Sequence, residues 1–111
     1  MYTAIIQARM DSRRLPGKVM KKIEDKPLLF YVIKQTLASK LINDVIIATS
    51  TSPKDKIIAD YCKDNKINCY RGSHHDVLDR FYKTAKKFKC KTIIRISADS
   101  PLIDPKIIDK V

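Results

Sequence analysis

Short apolar runs alternate with longer amphipathic stretches along this chain of 111 residues. Three of the runs are rich in β-branched residues and lack a clean polar alternation, which is typical of strands buried on both faces. These runs are Thr3 to Ala8, Asp44 to Thr49 and Thr92 to Ser97. A weaker candidate strand covers Ile67 to Tyr70. The pattern therefore predicts four strands, the main ones parallel.

Apolar residues at helical spacing predict a helix between successive strands. Pro27 can occupy the first turn of a helix that runs to about Ser39. Its predicted apolar face is Leu29, Val32, Ile33, Thr36 and Leu37. The residues Ser52, Pro53 and Asp55 form a start signal for a second helix. Its predicted apolar stripe is Ile57, Ile58, Tyr61 and Cys62.

Two further helices complete the alternation. Asp76 can cap a third helix, and its predicted core residues are Leu78, Phe81, Ala85 and Phe88. Asp104 and Pro105 open a fourth, which reaches the final residue, Val111, without a capping signal. The order predicts an α/β sandwich with a largely parallel sheet and right-handed crossovers. We expect residues 1–111 to form the N-terminal part of a longer, here truncated, domain.

The composition narrows the class of protein. At 44% hydrophobic and 32% charged residues, the chain has the balance of an ordinary globular domain. Its apolar runs fall far short of the roughly 18 residues that a membrane-spanning helix needs, so we expect no membrane partner. Gln7 and Arg9 interrupt the first apolar run before it reaches signal-peptide length, so we expect a cytoplasmic protein. The three cysteines, Cys62, Cys69 and Cys90, form no C-x-x-C pair. They predict buried or half-buried thiols rather than a disulfide framework or a zinc site.

The formal net charge of +11 raises the alternative of nucleic-acid binding, because neutralised phosphates release counterions. However, the lysines are scattered through every predicted helix, which favours a solvated surface over a polynucleotide-binding patch. The arginines are distributed differently, since three of the six lie between residues 9 and 14. The first loop, "QARMDSRRLPGK", residues 7–18, is therefore the charged segment that needs a specific explanation.

Three loops follow predicted strands and carry side chains suited to a phosphorylated ligand. In open α/β sheets, ligands bind beyond the carboxyl ends of the strands. The first loop offers cations, a hydroxyl and a Pro-Gly turn: Arg9, Ser12, Arg13, Arg14, Gly17 and Lys18. The second is "RGSHHDVLDR", residues 71–80, and the third is "SADSPLID", which contains Asp99. Cations opposite a carboxylate suit a nucleoside triphosphate with Mg²⁺, although the first loop lacks the Walker A spacing.

Five motifs carry a resemblance to a known family: "IIQARMDSRRLPGKV", "KPLLFYVI", "IIATSTSPKD", "RGSHHDVLDRF" and "RISADSPLIDP". In order and spacing they resemble the acylneuraminate and 3-deoxy-manno-octulosonate cytidylyltransferase family, most closely the branch named for spore-coat polysaccharide biosynthesis protein F. The resemblance implies a Rossmann-like fold similar to nucleotide-diphospho-sugar transferases (GT-A-like). It also implies transfer of CMP from CTP to a sugar hydroxyl, with release of pyrophosphate, in surface polysaccharide synthesis.

The resemblance also implies roles for individual residues. Arg9, Ser12, Arg13 and Lys18 match the triphosphate-binding positions of the first loop, to which Arg14 and Gly17 also belong. Lys18 would stabilise the leaving pyrophosphate, Arg9 would assist it, and Asp99 would bind Mg²⁺. Arg71, Ser73 and Asp76 are candidates for contacts with the base and ribose. Asp11 stands where the family often has Gly. In this family the later part of the chain supplies sugar contacts, a second metal-binding acid and much of a homodimer interface.

Other readings of the same residues stay open. The first loop could be a solvated basic loop, Asp99 could be a turn residue before Pro101, and helix capping is favoured for Asp76 and Asp79. At the level of function, the alternatives are a sugar-phosphate nucleotidyltransferase that uses another triphosphate, a non-catalytic nucleotide-binding fragment and a basic nucleic-acid-binding domain.

Overall fold

The computed structural model describes residues 2–11, 17–73, 75–89 and 92–97. Within these ranges the chain forms a four-stranded sheet, a two-stranded hairpin and three α-helices. The helices are α1 (Leu28–Leu37), α2 (Lys56–Asp64) and α3 (Val77–Lys87). None of these helices is long and apolar enough to cross a membrane. The predicted fourth helix at Asp104 and Pro105 lies outside the described residues.

The central sheet is parallel, as the apolar runs predict. Its strands are β1 (Tyr2–Gln7), β4 (Ile42–Ser50), β5 (Asn68–Gly72) and β6 (Ile93–Ser97). They lie in the order β5-β4-β1-β6, and every neighbouring pair is parallel. The weaker candidate strand is confirmed as β5, shifted by one to two residues. The α/β fold class is therefore confirmed.

Helices cover both faces of the sheet. Alternate residues of β1, such as Ala4 and Ile6, pack in one cluster with buried side chains of α1 and α2. Ile5 of β1 packs with Ile46 and Ala48 of β4 against α3 on the opposite face. This arrangement explains why the strand sequences are apolar without alternation, since both faces of each central strand are buried.

The helix boundaries and faces differ from prediction in detail. Pro27 is the extended residue before α1, which begins at Leu28 and ends at Leu37 instead of near Ser39. Three residues predicted to face the core, one on each helix, are exposed instead: Leu37, Ile57 and Leu78. Each lies at the edge of an apolar stripe, where helical periodicity alone does not decide between the core and solvent.

A small antiparallel hairpin precedes α1 and was not predicted. It consists of β2 (Lys22–Ile23) and β3 (Lys26–Pro27). The turn residues Glu24 and Asp25 both have positive φ, as a type I′ turn requires. Neither is Gly or Asn, so the usual sequence signal for this turn is missing.

The cysteine prediction is confirmed where the structure describes it. Cys62 is buried, Cys69 is half-buried and both are free thiols, whereas Cys90 lies outside the described ranges. A hydrogen bond between the two thiols raises the pKa of Cys62 and lowers that of Cys69. Cys69 is therefore the thiol of this pair that ionises first.

Candidate functional site

The carboxyl edge of the sheet contains a topological switch point. The chain adds β4 and β5 on one side of β1 and then crosses to add β6 on the other side. Gln7, the last residue of β1, is paired in register with Ala48 of β4 and with Ser97, the last residue of β6. The carboxyl ends of β1 and β6 consequently lie side by side. In open α/β sheets this is where a crevice for a ligand forms.

Met10 connects the two ends of the first loop. We call its backbone contacts with Asp55 and Gly17 the neck of this loop. The backbone N–H of Met10 donates to Oδ1 of Asp55 at 2.7 Å, and its carbonyl accepts the N–H of Gly17 at 2.6 Å. Gly17 has a φ of +74°, which side-chain-bearing residues rarely adopt. The two ends of the loop are thus joined to each other and to the start of α2.

Asp55 is the central residue of this neck, and its role was missed by sequence reasoning. The side chain is 1% exposed, and Oδ2 accepts a short hydrogen bond from the hydroxyl of Ser50. The sequence suggested only a helix-start signal, and Ser52 does accept the N–H of Lys54 at 3.4 Å. The Asp55 carboxylate instead accepts a hydrogen bond from Met10, 45 positions earlier. A local sequence pattern cannot predict such a contact.

Arg9 lies near the start of the same loop. Its guanidinium pairs with the carboxylate of Asp11 at 2.7 Å, and their side chains are 26% and 32% exposed. Asp11 thus pairs with the guanidinium that the family resemblance assigns to a phosphate of the ligand. An incoming phosphate would compete with Asp11 for that guanidinium, because both anions accept charge-assisted hydrogen bonds.

Several predicted site residues lie outside the described part of the chain: Ser12, Arg13, Arg14 and Asp99. Lys18 begins a short 3₁₀ turn that ends at Met20, and its side chain also lies outside the description. Their roles remain predictions. Across the described ranges, no three His, Cys, Asp or Glu side chains group to hold a metal ion.

The predicted base-side residues make contacts within the protein. Arg71 donates from Nε to the carbonyl of Ser50 and from a terminal nitrogen to the carbonyl of Ser52, both at 2.9 Å. It therefore braces the segment that follows β4 at the carboxyl edge. Because at least two N–H groups of Arg71 donate within the protein, any contact of Arg71 with a ligand would use the remaining N–H groups of its guanidinium.

Asp76 and Ser73 shape the start of α3. Oδ1 of Asp76 accepts the N–H of Asp79 at 2.9 Å, and the Ser73 hydroxyl accepts the N–H of Asp76 at 3.0 Å. Capping by Asp76 is thus confirmed. The carboxylate of Asp79 instead forms an ion pair with Lys83 at 3.2 Å. Contacts of Arg71, Ser73 and Asp76 with a base or ribose stay predictions.

Arg80 is the second residue that sequence reasoning missed. It is 1% exposed, and its Nε and one terminal nitrogen both donate to Oε1 of Gln7, at 3.1 and 2.7 Å. Its other terminal nitrogen donates to the carbonyl of Ser73 at 3.0 Å. Burial, together with the positive charge of Arg9, lowers the pKa of Arg80. The signal in the sequence that could have indicated its burial is its position directly before Phe81, which was predicted to face the core.

Comparison with known proteins agrees with this architecture. The chain is 38% identical over 109 residues to the spore coat polysaccharide biosynthesis protein SpsF of Bacillus subtilis, covering 95% of this chain and 45% of that protein. A cytidylyltransferase structure from Leptospira borgpetersenii superposes with a TM-score of 0.88 at 34% identity, covering 98% of this chain and 46% of that one.

A more distant structure shares the fold. CMP:2-keto-3-deoxy-manno-octonic acid synthetase, solved in complex with CTP, superposes with a TM-score of 0.76 at 24% identity over 98% of this chain and 44% of that one. The chain thus spans less than half the length of these relatives. The model of the cytidylyltransferase family matches residues 3–111. The chain therefore belongs to the cytidylyltransferase family.

Proposed function

We propose that this chain is the nucleotide-binding part of an enzyme that transfers CMP from CTP to a sugar hydroxyl for surface polysaccharide synthesis in the cytoplasm. The observation that supports this most is the family match, which extends over residues 3–111 and so includes all three candidate loops. In the proposed reaction, the sugar oxygen bonds to the α-phosphorus while the bond from that phosphorus to the bridging oxygen breaks. Pyrophosphate leaves, and the hydroxyl proton passes to solvent.

The first loop is proposed to hold the triphosphate. The charges assigned to this task are Arg9, Arg13, Arg14 and Lys18, with the hydroxyl of Ser12. Such a reaction needs positioning and charge neutralisation more than covalent chemistry. Lys18 is assigned to the leaving pyrophosphate, because a point charge near the β-phosphate offsets the charge that develops there. The tie between Met10 and Gly17 supports the assignment, since it fixes the ends of the segment that carries these groups.

Mg²⁺ is proposed to bind with the triphosphate, held by Asp99. Magnesium in nucleotide enzymes is commonly held by one or two carboxylates together with substrate phosphates, so a dedicated protein cage is not required. Asp55, the buried carboxylate beside the first loop, is not assigned to the ion, because both of its oxygens accept hydrogen bonds from within the protein. When bound, the ion would neutralise phosphate charge. In the sequence Asp99 follows Ser97 by two residues, and Ser97 of β6 pairs in register with Gln7 at the end of β1.

The base and ribose are proposed to lie against the segment between β5 and α3, where Arg71, Ser73 and Asp76 are the candidate contacts. The support is positional, because this segment leaves the same edge of the sheet as the first loop. A preference for a different triphosphate would leave the first-loop assignments unchanged. Dimerisation through the later part of a full-length protein also remains a prediction.

Calorimetric titration of the chain with CTP, UTP, GTP and ATP, with and without Mg²⁺, tests the proposal. We expect Mg²⁺-dependent binding that prefers CTP and weakens in Lys18→Ala and in Asp99→Asn. Lys56→Ala is a suitable control, because this exposed lysine pairs with Asp60 one helical turn away. Affinity that falls equally in Lys18→Ala and Lys56→Ala would contradict the site and indicate a general charge effect.

Two further outcomes separate the alternatives. Binding of CTP without pyrophosphate release, in the presence of sugar acids bearing a free hydroxyl, would indicate a nucleotide-binding fragment without turnover. Steeply salt-dependent binding of RNA with no requirement for Mg²⁺ would instead favour the nucleic-acid-binding alternative.

A further inference from the structure

Arg80 links two parts of the carboxyl edge that are far apart in sequence. Through Gln7, 73 positions away, its guanidinium is tied to the end of β1, two residues before Arg9. Through the carbonyl of Ser73 it is tied to the start of the segment between β5 and α3. One buried side chain therefore connects the strand that leads into the first loop with the segment assigned to the nucleoside.

Gly72 shows how closely Arg80 is packed at this point. A Cβ added to Gly72 would lie 2.9 Å from Cγ of Arg80 and 2.8 Å from Cε2 of Tyr70. The last residue of β5 thus has to lack a side chain for the Arg80 stem to pass. Backbone packing and hydrogen bonding together fix the guanidinium.

The partners of Arg80 are neutral. Within the described ranges, its guanidinium donates only to an amide oxygen and a backbone carbonyl. Gln7 is 9% exposed, and its Nε2 has no partner in the same part of the structure. A buried cation with neutral partners carries a desolvation cost. Two roles could offset that cost: a mechanical link between segments, or a fixed positive charge for the phosphates.

We propose that Arg80 is a positioning residue, which holds the segment between β5 and α3 at a fixed place relative to the end of β1. This rests on the proposed function. Arg80 then governs the extra affinity that the cytidine part adds to the triphosphate part, and it does not govern binding of the triphosphate itself. The measured quantity is the ratio of the affinity for CTP to that for inorganic tripolyphosphate, each with Mg²⁺.

Two variants separate the mechanical role from the charge role. Arg80→Lys keeps the charge but loses the planar fork that reaches Gln7 and Ser73 together. Gln7→Glu keeps an acceptor of the same shape and neutralises the guanidinium. We expect Arg80→Lys to lower the affinity ratio by about tenfold, the equivalent of one charge-assisted hydrogen bond. We expect Gln7→Glu to leave the ratio within about twofold of the original chain.

Arg95→Lys is the matched control, because it makes the same substitution at an exposed arginine that faces α3, with Cζ 5.8 Å from the ring of Phe81. It is expected to leave the ratio unchanged. Gly72→Ala provides a second test should Arg80→Lys fail to fold, since its new methyl group would crowd the Arg80 stem at Cγ, as well as the ring of Tyr70, without removing any donor of Arg80. It is expected to lower the ratio as well.

The proposal is overturned if Arg80→Lys, or Gly72→Ala in its place, leaves the ratio unchanged. A second outcome also overturns the proposal: Gln7→Glu lowers the affinity for both CTP and tripolyphosphate, and Arg80→Lys lowers neither. Arg80 would then act through its charge. A failure of the proposed function looks different. In that case the unmodified chain already shows no preference for CTP over tripolyphosphate.

Discussion

Replacing Asp55 tests whether the neck of the first loop depends on one buried carboxylate. Asp55→Ala leaves the N–H of Met10 and the hydroxyl of Ser50 without their acceptor, in a site that is 1% exposed. An orphaned buried polar group costs about 1–3 kcal/mol. With two such groups and a small cavity, we expect a loss of about 3–5 kcal/mol in the free energy of unfolding.

Asp55→Asn gives a milder change that keeps the chain folded. Its amide oxygen can still accept the N–H of Met10, but its NH₂ group faces Ser50, whose hydroxyl must then accept instead of donating. Ser50 already accepts the N–H of Ser52 at 3.1 Å. Loss of the charge-assisted bond is expected to cost about 1–2 kcal/mol.

Urea denaturation followed by circular dichroism measures both losses, with Asp60→Asn as the matched control. Asp60 lies on α2 and makes an exposed ion pair with Lys56 at 3.2 Å. Its replacement should cost no more than about 0.5 kcal/mol. If Asp55→Ala were no more destabilising than Asp60→Asn, the neck would not depend on Asp55 and the reasoning would be refuted.

Three further predictions concern the backbone, the core and the thiols. Gly17→Ala should lose about 1–2 kcal/mol in denaturation, because its φ of +74° strains an L-residue; its Cβ would meet only Cε of Met10, at 3.8 Å. Ile58→Ala should lower the free energy of unfolding by about 2–5 kcal/mol, because Ile58 is 0% exposed. Leu78→Ser should change it by less than about 0.5 kcal/mol, because Leu78 is 69% exposed. In a chain whose third cysteine is replaced by serine, iodoacetamide should modify Cys69 before Cys62. Because the Cys62 hydrogen bond lowers the pKa of Cys69, Cys62→Ala should move the rise in its alkylation rate to higher pH; an unmoved profile would contradict that cause.

The sheet could be predicted from the sequence because each central strand is buried on both faces. Burial of this kind leaves a local record, a run of β-branched residues without alternation, and β1 and β4 carry it. β6, at the edge of the described sheet, was recognised from its isoleucines, although Arg95 between Ile94 and Ile96 is exposed. Their parallel pairing follows from the intervening helices. β5 was harder to recognise, since it is less buried and its sequence is mixed.

The helix faces were only partly predictable, because periodicity defines a stripe but not its edges. On α3, Leu78 satisfies the apolar spacing and is exposed, whereas Arg80 and Thr84 are buried. An arginine can lie on the buried face of α3 because Gln7 and the carbonyl of Ser73 offer it acceptors from outside the helix. Local patterns contain no information about such a partner.

The candidate site illustrates the same limit. Its charged loop and its place at a strand end were visible in the sequence. Asp55 was visible only as part of a helix-start signal, because a carboxylate near a helix N-terminus is sufficiently explained by capping. The contact with Met10 requires the parallel register of β1 and β4, which brings the two segments together. Residues that position a site through tertiary hydrogen bonds are therefore the hardest to find from one sequence.

The distribution of buried polar groups supports a functional reason for these contacts. Buried hydroxyls on the helices satisfy themselves locally: Thr36 donates to the carbonyl of Val32, and Thr84 to that of Arg80, each four residues earlier. In the described part of the chain, most of the other buried polar side chains either end a strand, as Gln7, Thr49 and Ser50 do, or hydrogen-bond to such a residue, as Asp55 and Arg80 do. An apolar edge would be more stable, because buried polar groups add little net stability even when fully paired. Their concentration at the edge where three candidate loops begin is expected if stability is exchanged there for fixed geometry.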